Sequence, residues 1–281
     1  MQNETRIQPD FPIYDSHTHV NCEDMYPDHE RYIQSFIDGW GKWMVNSWAS
    51  EFYNEKTIEI SAKYSNHPDV TIKSSLGRHP LECVENIITP SNMKQHMDRL
   101  VDLYSESPEH VVAIWECGID LHYPNWNETL EIQKELFAMQ CDRAQEVNLP
   151  LVIHSRDWFQ PTLDVLRNYK DLTIYFHCRG YWPEEYRQLK DIFPNLYIWF
   201  CGNITYKKVD DLLETLKIVD RDRLVLETDA PYLTPQIIRW QKNEPLFVRY
   251  IYDFVSDFLQ IEKNSLSQQI ESNFKKLYRI I

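Results

Sequence analysis

Short apolar runs alternate with longer amphipathic segments along almost the whole chain. The runs rich in apolar or β-branched residues, each short enough to be a strand, are FPIYDSHTH, KWMVNSW, VTIKSSLG, VVAIWECG, LPLVIHS, LTIYFHC, LYIWFCG and RLVLETD. Apolar residues three and four positions apart predict helices near 28–40, 53–65, 91–106, 127–148, 158–169, 182–193 and 205–218, and again from about 245 onward. This alternation predicts right-handed βαβ units and therefore a parallel sheet.

The number of strand and helix units indicates the fold class. Eight such units in 281 residues fit an α/β protein, a (β/α)8 TIM barrel that forms a single domain over residues 1–281. An open doubly wound sheet is the alternative, but no glycine-rich phosphate loop follows the first predicted strand. With 43% hydrophobic residues, the chain can bury a core of this size.

Charge and cysteine content narrow the function classes. A formal net charge of −14 argues against a protein that coats nucleic acid with its whole surface, so any contact with nucleic acid must be local. The six cysteines are scattered without a CxxC pair, which is typical of reduced thiols. We find no signal-peptide core near the N-terminus and no apolar run as long as a membrane span. We therefore expect a cytoplasmic protein without membrane contact, and a monomer.

Nearly every predicted strand ends in a side chain that can bind a metal or a polar ligand. These residues are His17, His19, Ser47, His79, Glu116, His154, His177, Asn203 and Asp229. Four glycines, Gly77, Gly118, Gly180 and Gly202, lie at the same strand ends. In a barrel the carboxyl ends of the strands meet on one face, where barrel active sites form. The pattern therefore predicts one site on that face.

The residue types at this face favour a metal site. In the segment YDSHTH, strand alternation points Asp15, His17 and His19 the same way. Glu116 and Asp229 each end an apolar strand, where an unpaired carboxylate is costly to bury. Separate hydrogen bonds would require a partner for each residue, whereas one or two divalent cations account for six together. The six are His17, His19, Glu116, His154, His177 and Asp229.

A series of motifs resembles one protein family. YDSHTH, GRHP, ECGID, HSRD, FHC and ETDAPYL, followed by NEP, occur in this order between about residues 14 and 245. Together they resemble the TatD family of metal-dependent deoxyribonucleases, within the amidohydrolase-like barrels. HSRD and ETDAPYL at this separation are the most specific of them. The resemblance implies a hydrolase of DNA phosphodiester bonds, with single-stranded DNA attacked from its 3′ end as substrate.

The same resemblance implies a binuclear centre. Its ligands are His17, His19, Glu116, His154, His177 and Asp229. His17 and His19 hold the first cation, His154 and His177 hold the second, and Glu116 bridges both. Asp229 binds the first cation and contacts the attacking water, so Asp229 and Glu116 are the catalytic pair. Mg or Mn is the expected ion, and Zn is also compatible with four histidines. Asp15 is expected to orient the two histidines that follow it.

Substrate contacts are where the chain departs from the family pattern. His79 falls where the family has a histidine near the substrate phosphate, but the usual HPH is here His79-Pro80-Leu81. The expected HCFSG is replaced by HCRGY over residues 177–181. These changes leave the six expected ligands in place and alter the residues that would contact substrate.

Basic residues near the expected ligands predict an anion pocket. Arg78, Arg156 and Arg179 each lie within two residues of a histidine at a strand end, and Arg239 and Lys242 follow the last strand. Guanidinium groups recognise phosphate through paired hydrogen bonds. The alternative for any one arginine is an ion pair with a neighbouring carboxylate.

Two other functions remain open on the sequence. The same metal centre can hydrolyse esters or amides, for example as an aminoacyl-tRNA deacylase, because the cations supply hydrolysis without selecting the bond. A barrel that keeps its cations only for stability is the non-enzymatic alternative. In that case, replacing Glu116 or Asp229 would lower the melting temperature and abolish no turnover.

Overall fold

Eight parallel strands pair in sequence order around the molecule. The computed structural model describes residues 10–47, 51–122, 126–156, 159–176 and 182–280. The strands are β1 Ile13–Thr18, β2 Gly41–Ser47, β3 Thr71–Leu76, β4 Val111–Asp120, β5 Leu151–Arg156, β6 Ile174–Phe176, β7 Leu196–Phe200 and β8 Leu224–Leu226. Their order runs from β1 to β8 without a reversal, which excludes the doubly wound sheet. The predicted TIM barrel is confirmed.

The barrel closes where the chain after β8 meets β1. The amide of Asp229 donates to the carbonyl of His17 at 3.1 Å, and the amide of His19 donates to the carbonyl of Ala230 at 2.9 Å. These bonds fall beyond the last residue of the short strand β8. Closure of the barrel therefore brings the HxH segment and the expected carboxylate together.

Helices cover the outside of the barrel at the predicted places, and one short helix, α3 at Leu81–Val84, was not predicted. They are α1 His29–Asp38, α2 Glu51–Lys63, α3 Leu81–Val84, α4 Met93–Glu106, α5 Trp126–Val147, α6 Phe159–Leu166, α7 Pro183–Ile192, α8 Asp210–Ile218, α9 Val248–Leu259 and α10 Lys263–Tyr278. The C-terminal region is two helices because Gln260 is left-handed, with φ of 54°, and ends α9. Among the helices described, none has the length and apolar character needed to cross a bilayer.

Large rings fill the barrel below the strand ends. Trp115, Tyr175 and Trp199 are among the largest fully buried side chains. The rings of Tyr175 and Trp199 meet edge to face with centroids 4.0 Å apart, and the ring of His17 lies 4.9 Å from that of Trp199. The histidines of β1 therefore rest on a packed aromatic layer, which restricts how their rings can turn.

Gly118 allows β4 and β5 to approach closely beside the site. Its φ is 147°, a backbone conformation that side-chain-bearing residues rarely adopt. A Cβ at this position would lie 1.8 Å from the carbonyl oxygen of His154. Glycine at this position therefore keeps His154 next to the functional face of β4.

Candidate metal centre

The first cluster joins β1 to the loop after β8. His17, His19 and Asp229 are buried, and one ligand atom from each lies within 4.8 Å of the others. Nε2 of His19 is 3.1 Å from Nε2 of His17 and 3.1 Å from Oδ1 of Asp229. Strand alternation aims both imidazoles at this point, as predicted. The positive φ of Asp229, 56°, turns the chain so that its carboxylate meets them.

His19 is oriented for a ligand role. Its Nδ1 donates a hydrogen bond to the carbonyl oxygen of Ser47 at 2.7 Å, which leaves Nε2 facing the cluster. Burial acts to lower the pKa of His19, but the hydrogen bond and charge of Asp229, together with Glu116 and the Ser47 carbonyl, outweigh burial and raise this pKa. A cation at this nitrogen would replace a proton, so its binding should depend on pH.

Trp115 holds the other imidazole of this cluster. Its indole Nε1 donates to Nδ1 of His17 at 2.9 Å, and the two rings stack with centroids 5.2 Å apart. Because Nδ1 accepts this bond, the proton of a neutral His17 lies on Nε2, which faces Asp229 at 3.6 Å. A cation at Nε2 would therefore require this proton to move to Nδ1, which would break the bond from Trp115, because a neutral imidazole binds a cation through its unprotonated nitrogen. No pattern in the sequence singles out Trp115.

The second cluster is formed by β4, β5 and the residues after β3. His79, Glu116 and His154 bring one ligand atom each within 4.8 Å of the others. Nδ1 of His154 is 2.8 Å from one oxygen of Glu116, and Nε2 of His79 is 3.9 Å from the other. His79, expected beside the substrate phosphate, thus also has a ligand geometry. His177 lies outside the described residues, and its ligand role stays a prediction.

Asp120 is a member of this site that the sequence reasoning missed. Its Oδ2 lies 3.1 Å from Nε2 of His154, opposite the nitrogen that faces Glu116. Burial lowers the pKa of His154, but the two carboxylates outweigh burial and raise this pKa from 6.5 to about 9. β4 runs four residues beyond Glu116, and alternation places Asp120 on the same face. The segment ECGID therefore held a signal for this residue.

Asp15 acts on the backbone around the first cluster. Its side chain is fully buried and accepts bonds from the amides of His17 at 3.2 Å and Thr228 at 2.9 Å. The hydroxyl of Thr228 donates to its second oxygen at 2.6 Å. Burial raises the pKa of Asp15 to about 7 against these bonds. Its expected orienting role stays a prediction, with the backbone of His17 rather than an imidazole as the contact.

Arg78 has a buried partner. Its side chain is 2% exposed, and Nη1 lies 3.2 Å from a carboxylate oxygen of Glu82. Burial raises the pKa of Glu82 to about 7, although the charge of Arg78 acts to lower it. This is the ion-pair alternative weighed for the arginines. The expected phosphate contact of Arg78 stays a prediction.

The remaining basic residues are more accessible. Arg156 is half-buried at the end of β5, and Arg179 lies outside the described residues. The guanidinium of Arg239 stacks 3.9 Å from the ring centroid of Tyr206, and Nζ of Lys242 donates to the carbonyl of Asp24 at 2.9 Å. Arg239 and Lys242 thus tie the β8–α9 loop to its neighbours while keeping positive charge at the surface.

The donor chemistry of both clusters fits a divalent cation. Each offers two imidazole nitrogens and one carboxylate, a mixture that suits Zn, Mn or Fe. The two clusters are neighbours, because Glu116 of the second directly follows Trp115, whose ring centroid lies 5.3 Å from that of His19 in the first. The residues that would hold cations are His17, His19, Asp229, His79, Glu116 and His154.

Comparison with known proteins places this chain in a family. Residues 14–279 match the family model described as TatD related DNase. The chain belongs to this family. It is 28% identical over 271 residues to YabD of Bacillus subtilis strain 168, an uncharacterized metal-dependent hydrolase, covering 95% of this chain and 99% of that protein. YcfH of Escherichia coli strain K12, another uncharacterized metal-dependent hydrolase, is 32% identical over 208 residues, or 73% of each chain.

A solved structure supports the same fold for this TatD-family chain. The crystal structure of YjjV, a TatD homologue from Escherichia coli K12, superimposes with a TM-score of 0.81 and 20% sequence identity. The match covers 96% of this chain and 98% of that one. With the family model, these relatives make the chain a TatD-family metal-dependent hydrolase, an enzyme, as the motifs predicted.

Proposed function

We propose that this hydrolase cleaves phosphodiester bonds in DNA, acting as a monomer and as a 3′–5′ exonuclease on single strands. The observation that carries the proposal is the pairing of two ligand clusters on the face where the strands end. Two cations about 3.5–4 Å apart can clamp both the attacking and the leaving oxygens of a phosphoryl transfer. The family name points to the same reaction, because the matching model describes DNases.

Two carboxylates carry the catalytic roles in this proposal. Divalent cations held at the clusters would activate water and stabilise the charge that develops on the phosphate. Asp229 takes a proton from the attacking water, because its carboxylate lies at the open end of the barrel and is held against His19 at 3.1 Å. Glu116 lies in the second cluster and directly follows Trp115, whose indole donates to His17 of the first cluster at 2.9 Å, and this position favours a bridging role.

The choice of DNA rests on local positive charge and on the family. Arg156 ends β5 next to the second cluster, and Arg239 and Lys242 lie in the loop that follows Asp229. In a chain of net charge −14, basic side chains gathered at this face favour an anionic substrate. Single strands and the 3′ end come from the resemblance to the family.

Cleavage of a labelled oligonucleotide tests the proposal. Metal-stripped protein is supplied with Mg, Mn or Zn and incubated with single-stranded DNA labelled at its 5′ end, beside Asp229→Asn. A ladder that shortens from the 3′ end, needs metal and disappears in Asp229→Asn is the expected result. Folded, metal-loaded wild-type protein that leaves every diester intact would contradict it.

An ester or amide hydrolase is the second candidate, and one observation favours it. Arg78, one of three arginines expected to bind phosphate, is buried against Glu82. Such a pair offers less to an anionic substrate than a free guanidinium. Charge reversal separates the two candidates: Arg156→Glu should cripple a nuclease and leave the hydrolysis of a neutral ester, such as a 4-nitrophenyl ester, nearly unchanged.

A further inference from the structure

Three large apolar side chains are exposed on the loop between β8 and α9. Tyr232 is 50% exposed, Ile237 65% and Trp240 79%. We call these three residues the apolar ledge. Several exposed apolar side chains on one loop are typical of a binding surface, because exposing apolar surface to water does not stabilise a monomer.

Most of the exposed large apolar side chains lie at one end of the barrel. Among the described residues, seven large apolar side chains are exposed by 46% to 79%. Trp40 precedes β2 and lies at the opposite end of the barrel from the metal clusters. The other six follow strands, on the face of the clusters: Phe52, Ile87, Trp182, Tyr232, Ile237 and Trp240. The face that would receive substrate is therefore also the face with exposed apolar groups.

The loop is tied down, so the ledge residues project from a fixed backbone. Nδ2 of Asn243 donates to the carbonyls of Thr228 at 2.9 Å and Tyr232 at 2.5 Å. The hydroxyl of Tyr206, on the neighbouring loop after β7, donates to the carbonyl of Thr234 at 3.0 Å. A fixed backbone lowers the entropy lost when a ligand stacks on these side chains.

The ledge begins at the metal centre and is flanked by positive charge. The ring of Tyr232 lies 5.9 Å from that of His19, centroid to centroid. Arg239 and Lys242 lie on the same loop, and Lys207 and Lys208 are exposed on the neighbouring one. Exposed aromatic side chains beside basic ones match a strand whose bases are unpaired and whose backbone is anionic.

We propose that the apolar ledge binds single-stranded DNA by stacking unpaired bases on Trp240 and Tyr232, next to the metal centre. This inference rests on the proposed function, and it identifies where that substrate is held. Paired bases are stacked on one another and have no free face to offer, so the ledge favours single strands over duplex. Binding of a protein partner or of a second copy of this chain would not require the basic side chains that flank the ledge.

Direct binding tests the ledge without relying on cleavage. Metal-loaded protein is titrated into a fluorescein-labelled, non-hydrolysable phosphorothioate oligothymidine, and anisotropy gives Kd. Trp240→Ala should bind about 5-fold to 140-fold more weakly, the range expected for loss of one stacking aromatic. Trp240→Phe should retain most of the affinity, whereas Trp240→Leu, which is apolar without a π-face, should not. Trp40→Ala, at the opposite end of the barrel, is the matched control and should bind like the wild type.

Each outcome separates the ledge from the proposed function. Equal Kd values for Trp240→Ala and wild type would overturn the ledge, whether or not the enzyme cuts DNA. A wild-type dimer in sedimentation that Trp240→Ala converts to monomer would also overturn it, because a second copy would then cover these residues. If the wild type binds the oligonucleotide through Trp240 but never cleaves a hydrolysable one, the ledge stands and the nuclease proposal fails.

Discussion

Asp120 offers a sharp test of how the second cluster holds a cation. It contacts Nε2 of His154 at 3.1 Å, while Nδ1 of the same ring faces Glu116 at 2.8 Å. A histidine that binds metal through one nitrogen usually has the other held by a carboxylate or carbonyl. We predict that Asp120→Ala weakens cation binding at this cluster, and that Asp120→Asn, which keeps an oxygen near Nε2, weakens it less.

Two independent estimates give a similar size for the effect. Loss of such an outer partner typically costs about 10-fold to 100-fold in metal affinity, or about 1.4–2.8 kcal/mol. A hydrogen bond to a charged group contributes about 1.5–3 kcal/mol. One effect works in the other direction: Asp120 helps to raise the pKa of His154 to about 9, so its loss weakens the competing proton. The net loss should therefore be smaller at pH 6.5 than at pH 8.5.

The assay is competition for Zn²⁺ between metal-stripped protein and a chromophoric chelator, at both pH values. Wild type, Asp120→Asn and Asp120→Ala are compared with Asp98→Asn. Asp98 is a suitable control because it is an exposed carboxylate paired with Lys94 on the surface. Its replacement should leave Zn²⁺ affinity unchanged, since exposed pairs contribute about 0–1 kcal/mol and this one is remote from the clusters.

Folded Asp120→Ala that binds Zn²⁺ with wild-type stoichiometry and affinity at pH 8.5 would contradict the predicted role of Asp120. That result would mean that packing and Glu116 alone orient His154. A loss that is equal at both pH values would refute only the part that concerns the proton of His154.

Three further predictions concern the same face of the barrel. The pKa of His154 in the metal-free protein is raised from 6.5 to about 9. The stability that its proton contributes is therefore complete below pH 6.5 and is lost as the pH rises through about 9. Urea unfolding from pH 6 to 10 should show this decline in the free energy of unfolding, and the variant His154→Gln should show a smaller one. Gly118→Ala should lower the free energy of unfolding by about 2–4 kcal/mol and reduce metal content, since its Cβ would meet the His154 carbonyl; wild-type values would disprove this clash. Glu82→Leu should cost about 3 kcal/mol in urea unfolding because it removes the buried partner of the Arg78 guanidinium, and the double variant Arg78→Met, Glu82→Leu should recover part of that loss. A single variant Glu82→Leu as stable as the wild type would argue against the pair.

The strands and helices were predictable because each depends on neighbours along the chain. Apolar runs of strand length and apolar spacing of three and four identified all eight strands, and their number indicated the barrel. Alternation placed His17 and His19 on one face, and the motif order identified the family. Glu116 and Asp229 were predicted as site residues because each is a carboxylate at the end of an apolar run.

Other features of the site were decided by residues far apart in sequence. The bond from Trp115 to His17 joins positions separated by 98 residues, and that from Asp120 to His154 by 34. No local pattern specifies either contact, because register and closure of the barrel determine which side chains meet. Arg78 shows the same limit, because its burial and its contact with Glu82 depend on how the barrel packs and not on its position after the strand.

The fold class, the family and the residue types at the strand ends could thus be predicted from the amino-acid sequence. These follow from periodicity, composition and short motifs, which are local properties. The folded barrel was needed to show which ring nitrogen of each histidine faces a partner, which arginine is buried and which apolar side chains remain exposed. Those outcomes depend on burial and on distances between strands, and both are set only when the barrel closes.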